Sequence, residues 1–278
     1  MSTLVEPITD LKQIANRIRI AIVKMIGAAG SGHPGGSLSA VELLVALYFR
    51  VLRHDPKRAD WSERDRFVLS KGHGVPVLYA TLAEAGYLDP ALLSTLRKLG
   101  SPLQGHPDKR MLPALEASTG SLGQGISIGI GMALAARMDQ RDWHTFVMVG
   151  DGEIQEGQIW EAAMYAGFHR LSNLTVIVDY NKQQLDGFLV DILDPAPVAE
   201  KFRSFNWNVI EIDGHDLEQC INALQQARAG TSRPTAVIAN TIKGKGVSFM
   251  ENNPEWHGMA PKKEQVEAAL KELEANAR

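Results

Sequence analysis

The sequence holds a single cysteine, Cys220, so no disulfide can form within the chain and a reducing compartment fits it best. Cys220 falls in a helical pattern and reads as core packing. Blocks of five or more like charges are absent and the net charge is only -3, so neither a nucleic-acid arm nor a membrane-surface patch is indicated. No run of eighteen apolar residues occurs, which leaves no candidate for a membrane-spanning helix. The opening segment, MSTLVEPITDLKQ, lacks the charged-then-apolar layout of a secretory signal, and a cytoplasmic location is expected. Internal repeats, low-complexity tracts and obvious linkers are missing too, which points to one domain over residues 1–278.

What is present suits an ordinary globular chain. Apolar residues make up 45% and charged residues 22%, and 278 residues are enough to build a large core. Apolar residues recur at helical spacing over residues 11–26, with Thr9 or Asp10 as cap, and again over residues 40–52. Five short runs rich in β-branched residues read as strands: RFVLS at 66–70, TFVMV at 145–149, LTVIV at 174–178, WNVIEI at 207–212 and TAVIAN at 235–240. Each is too apolar to alternate, and helical stretches separate most of them. That pattern predicts an α/β fold, a doubly wound, mostly parallel sheet with helices on both faces, closed by an amphipathic helix from 262 to about 277. The glycines Gly123, Gly125, Gly129 and Gly131 point to close helix packing.

Ligands of open parallel sheets bind beyond the carboxyl ends of the strands. Those ends read KGH at 71–73, GDGE at 150–153, DYNK at 179–182, DGHD at 213–216 and KGKG at 243–246, all polar and several with glycine. Between Gly152 and Asn181 lie 28 residues, the size of a helix plus the next strand, so Asp151 and Asn181 would reach the same sheet edge if their strands are neighbours. One carboxylate and one amide make a poor cage by themselves. Mg²⁺, however, keeps positions open for water and phosphate oxygens, so the pair points to a phosphorylated ligand. Gly150 and Gly152 permit close approach of the backbone, and helices starting near Gln155 and within 119–125 can aim N–H groups at an anion. GDG alone is most often a tight turn; the strand before it, the helix after it and the Asn at the next strand's tip favour a site.

GDGE followed by DYN resembles the thiamine-diphosphate motif. The longer series SGHPGGSLS, SKGH, GHPD, STGSLGQG, GDGEIQEGQIWEA and DYNKQQLDG resembles, in order, the amino-terminal half of transketolase. The resemblance implies a thiamine-diphosphate-binding fold using Mg²⁺ or another divalent cation such as Ca²⁺ or Mn²⁺. It implies that Asp151 and Asn181 hold the metal through side chains and Gln183 through its main-chain carbonyl. Gly152 and Glu153 would line the diphosphate, Gly120 and Leu122 would lie against the cofactor, and Glu156 would sit between the two cofactors at a dimer interface. His33, His73, His106 and His257, each beside glycine in a loop, would surround the thiazolium carbon, contact diphosphate or sugar hydroxyls and move protons. Of the remaining histidines, His54, His144 and His169 are expected to cap elements or face solvent, and His215 to serve a turn. Trp160, Met164 and Tyr165 share a helix that could face either a second chain or the core.

Full-length transketolases carry a second thiamine domain that supplies the glutamate activating the cofactor's aminopyrimidine ring and most of the grip on the sugar phosphate. By the resemblance, then, this chain is the amino-terminal subunit of a split transketolase. It would pair with a carboxyl-terminal subunit, two copies of each, and move a two-carbon ketol unit from a ketose or ketose phosphate to an aldose phosphate. Two alternatives stand beside it: a subunit of a 2-oxoacid dehydrogenase or deoxyxylulose-phosphate synthase, and a non-catalytic cofactor-binding subunit.

Overall fold

A computed structural model describes residues 8–230 and 232–276. Most of the opening segment and the last residue of the expected closing helix, Ala277, lie outside them. The first helix, α1 (Ile8–Ala29), buries Leu11, Ile14, Ile18, Ile22 and Ile26, a stripe at three- and four-residue spacing. It begins before the expected cap, so Thr9 and Asp10 sit inside its first turn, where the aspartate faces the positive end of the helix dipole. The helix expected over 40–52 is α3 (Val41–Ala46) running on into a π-helical turn, Leu47–Val51, and a short helix that was not expected, α2 (Pro34–Leu38), precedes it.

Strand β1 (Arg66–Leu69) leads through a tight turn at Gly72–Gly74 into α4 (Val75–Glu84); α5 (Gln124–Met138) then precedes β2 (Thr145–Gly150). After β2 come α6 (Gly157–Phe168), β3 (Leu174–Tyr180), α7 (Leu189–Ile192) and α8 (Val198–Ser204). The chain continues with β4 (Asn208–Asp213), α9 (Leu217–Ala229), β5 (Thr235–Asn240) and α10 (Lys263–Ala275). The strands form one parallel sheet in the order β1-β2-β3-β5-β4.

Successive side chains leave a strand on opposite faces, so these runs, apolar on both, feed two cores. Phe67, Phe146, Met148, Ile177 and Val237 pack toward α1, α3, α4 and α9. Val68, Val147, Val149, Val176 and Ile238 pack toward α5, α6 and α8. Strand β4 departs from the apolar pattern because it is an edge: Glu211 and Asp213 are exposed there.

The glycine series divides by what surrounds each member. A Cβ on Gly129 would stand 2.3 Å from Val147 Cγ2 and one on Gly125 the same distance from Ser70 Oγ, so these two let α5 lie directly on the sheet. Nothing lies within 4 Å of a Cβ at Gly131. Cys220 is fully buried, as expected. On α6, Trp160 turns inward against Phe202, whereas Met164 and Tyr165 are exposed.

Candidate active site

The polar strand ends converge. Beyond β1, β2, β3 and β5 lies a cleft of about 280 Å³ lined by Asp151, Gly152, Asn181, Gln183, Lys243, His73 and His257, with Leu122 and Glu156 at its walls. Register places Gly150 opposite Asp179, so the residues that follow β2 and β3 emerge side by side.

Asp151 and Asn181 are brought together through the backbone. Lys182, held in the left-handed region at φ 65°, donates its N–H to Asp151 Oδ2, and the N–H of Gly152 donates to Oδ1 at 2.9 Å. Asn181 donates its amide to Asp179 Oδ2 at 3.2 Å and accepts from the Gln183 N–H at 3.2 Å. The Gln183 side-chain amide is buried with no hydrogen-bond partner, and the Gln183 main-chain carbonyl lies 3.5 Å from Lys243 Nζ. Burial, and then the nearby Asp179 charge, raise the Asp151 carboxyl well above the usual range. Burial lowers Lys243 from its ordinary value. A buried carboxylate and amide oxygens with too little positive charge around them are what a hard divalent cation would satisfy. No cluster of three or more His, Cys, Asp or Glu suited to a metal exists among the described residues, so such a cation would have to complete its shell from a ligand or water.

A buried polar hub supports this edge. The Asp179 carboxylate accepts from Lys71 Nζ at 2.5 Å, Ser39 Oγ at 2.6 Å and the Thr241 hydroxyl, and Lys71 also donates to the Gly36 carbonyl at 2.6 Å. Burial works to raise the Asp179 carboxyl, but the Lys71 charge and these hydrogen bonds outweigh it and hold the group below its ordinary range. Glu153 plays a similar part. Its carboxylate accepts from the Ser70 hydroxyl, from Gly123 N at 2.8 Å and from Gly150 N at 3.0 Å, tying β1, the start of α5 and β2 together. With that carboxylate committed, any contact of Glu153 with a ligand falls to its backbone.

The four loop histidines gather at the other end. Ring centroids of His73 and His257 are 5.2 Å apart and stacked, His33 lies 5.3 Å from His73 and 5.6 Å from His257, and His106 lies 6.5 Å from His33. Gly120, at φ 147°, backs onto the His106 ring. Burial first, then neighbouring cations, keep all four imidazoles neutral: His33 is lowered to about 4, His257 to about 3, and His73 and His106 are lowered as well. Lys243 Nζ meets His257 Nδ1 at 2.7 Å. Glu156 is exposed at the start of α6 with no capping hydrogen bond.

The other histidines differ from expectation in part. His169 is exposed, but His144 is buried against Thr175, and His54 is held between Tyr87 and the Tyr48 carbonyl. His215 does occupy a turn, its N–H on Asp213, while its ring also bridges Glu42 and the Ile242 N–H. Sequence reasoning passed over Lys71, Lys243 and Asp179. Their signal was present, because a charged residue at or just beyond the carboxyl end of a buried apolar strand stands at the ligand edge of the sheet.

The family described as "Transketolase, thiamine diphosphate binding domain" matches residues 10–277. A 6-deoxy-6-sulfo-D-fructose transketolase subunit of a Clostridium species is 48% identical over 265 residues, covering 95% of this chain and 96% of that protein. An apulose-4-phosphate transketolase subunit from Actinobacillus succinogenes is 43% identical with the same coverage. Mus musculus transketolase is 40% identical over 274 residues, and the chain spans 42% of its length. Among solved structures, a transketolase from Campylobacter jejuni superposes with a TM-score of 0.91 at 33% identity, covering 97% of this chain and 43% of that one.

Proposed function

The chain belongs to the transketolase thiamine-diphosphate-binding family, and from that premise we propose that it is the amino-terminal subunit of a two-subunit transketolase. In this reading residues 1–278 are one cofactor-binding domain, and two copies pair with two copies of a carboxyl-terminal subunit. Coverage supports this: the chain spans 96% of two relatives named as subunits and 42% of Mus musculus transketolase. The donor is a ketose with an anionic terminus, as the names of those two relatives suggest, and the acceptor an aldose phosphate.

The observation that carries the catalytic reading is the tie from the Lys182 N–H to Asp151, which sets a buried carboxylate beside Asn181 in a cleft also lined by the neutral His73 and His257, with the His33 ring packed against both. Mg²⁺, or Ca²⁺ or Mn²⁺, would be held by the Asp151 and Asn181 side chains and the Gln183 carbonyl, oxygen donors that leave room for phosphate oxygens. Gly152, the Glu153 backbone, His73 and Lys243 would face the diphosphate, the unpartnered Gln183 amide would have a polar group to meet, and Gly120 and Leu122 would pack on the cofactor body. When bound, thiamine diphosphate supplies an electron sink for the carbanion left by cleaving a ketose beside its carbonyl.

The chain's own residues handle protons and hydroxyls. Lys243 donates to His257 Nδ1, which leaves the His257 proton on Nε2, where it can donate to a substrate oxygen. His73 and His106, neutral at physiological pH, can each accept a proton on one ring nitrogen while donating from the other, and the neutral His33 ring can donate a hydrogen bond. Glu156, exposed at the cleft wall, is free to meet the second copy.

Two measurements test the reading. Asp151→Ala should abolish Mg²⁺-dependent thiamine diphosphate binding in calorimetric titration; retained binding contradicts the metal assignment. Co-expression with the product of a neighbouring gene, assayed with phosphorylated and sulfonated ketoses, should yield ketol transfer that neither chain supports alone. Turnover by this chain alone would contradict the dependence on a partner.

A further inference from the structure

Arg97 stands behind the histidine cluster in an unusual state. Its backbone is in the left-handed region at φ 58°, a conformation that costs a residue with a Cβ about 1–2 kcal/mol. Among the described residues it forms no ion pair. Instead its guanidinium donates from Nη1 to Ser31 Oγ at 2.7 Å, and Nη2 reaches the Gly105 carbonyl and His33 Nδ1, both at 3.5 Å. The group lies flat over Gly105: a Cβ there would stand 2.8 Å from Nε and 2.9 Å from Cζ. Strain, a glycine cleared for it and a serine to anchor it all serve to hold this cation against one ring nitrogen.

Guanidinium has donors only and does not lose its proton, so the nitrogen it faces must offer a lone pair. That places the His33 proton on Nε2. The Nε2 edge of His33 faces Gly258, next to His257: a Cβ on Gly258 would lie 3.5 Å from Nε2. We propose that Arg97 is a positioning residue for His33, donating to Nδ1 so that the neutral ring presents its Nε2–H toward the reacting end of the cleft. This rests on the reading of the site as that of a thiamine-diphosphate transferase.

The electrostatics agree. The groups facing His33 are Arg97, Lys243, His106, His73 and His257, with no carboxylate among them, and after burial the Arg97 charge is the largest influence keeping the ring neutral. Removing Arg97 therefore lets the His33 pKa rise from about 4 toward its ordinary 6.5, with burial still holding it below that value. Protonation charges the ring and ends its service as a neutral Nε2–H donor held by Arg97, so the acid limb of activity moves to higher pH.

The first test reads the tautomer directly, by long-range ¹H–¹⁵N correlation of ¹⁵N-histidine in the full chain at pH 7. His33 should be the Nε2–H form in the native protein and a mixture in Arg97→Met. An Nδ1–H form in the native protein, or the same tautomer in both, overturns the proposal whatever the chain catalyses. The second uses the reconstituted complex. Arg97→Met should lower kcat about tenfold or more with cofactor affinity unchanged, lose further activity between pH 7 and 5.5, and be partly rescued by Arg97→Lys. In a His33→Gln background the Arg97→Met loss should vanish; an equal loss there overturns the proposal. A native complex without ketol transfer would instead sink the functional reading, and the tautomer measurement would still decide the Arg97 contact.

Discussion

Replacing Lys71 with methionine tests the hub beneath the site. Lys71 and Asp179 are 1% and 0% exposed, and their charged atoms are 2.5 Å apart. Methionine matches the length of lysine and keeps the packing, but it leaves the Asp179 charge buried with only Ser39, Thr241 and Asn181 as donors and removes the nearer of two donors to the Gly36 carbonyl. Removing one member of a buried pair costs about 3–5 kcal/mol, chiefly because the surviving charge stays desolvated and uncompensated. At this chain length that corresponds to a fall in Tm on the order of 10 °C. Urea unfolding followed by far-UV circular dichroism should report the same loss. The double variant Lys71→Met/Asp179→Asn removes the stranded charge while keeping an acceptor, and should recover about half of it or more. A single-variant cost below about 1 kcal/mol, or a double variant no more stable than the single, would refute the claim that charge compensation holds this hub together.

Two further outcomes follow from packing and titration. Gly129→Ala drives a methyl to 2.3 Å from Val147 and should destabilise by about 1–3 kcal/mol, whereas Gly131→Ala, with nothing within 4 Å, should stabilise by about 0.5–1 kcal/mol through helix propensity; thermal melts of the pair check the contrast. His144, buried against Thr175, is lowered by burial from 6.5 to about 4. Because the folded value is the depressed one, its contribution is whole above about pH 6.5 and is lost as pH falls toward 4, by about 3 kcal/mol in all. His144→Gln should flatten that part of the acid-side stability profile in denaturant titrations; an unchanged slope would mean the ring is not held neutral.

Much of the frame was legible along the chain. Five apolar runs predicted five strands to within two residues at either end, since a strand buried on both faces needs a continuous apolar run flanked by turns. The strand order was not legible. That β5 inserts between β3 and β4, and that β4 becomes the edge, depends on how helices on both faces pack, which no local pattern encodes. The short helix α2 was not read at all, because PGGSL is too short and glycine-rich to show a helical period.

At the site, residue types and spacing singled out Asp151 and Asn181, because polar groups at strand ends stand out against apolar elements, while the four glycine-flanked histidines were picked out by the resemblance to transketolase. Their mutual distances, the left-handed turn at Lys182 and the inward turn of Glu153 came only with the fold. So did Lys71, Asp179, Lys243 and Arg97. A charge in a sequence looks the same whether it faces water or a neighbour 108 positions away, as Lys71 faces Asp179. Sequence alone determined which chemistry the chain could carry, since that is set by side-chain type at the strand ends. Tertiary structure decided which charges lose their water and which partner each then meets, because desolvation and pairing exist only between groups the fold has brought together.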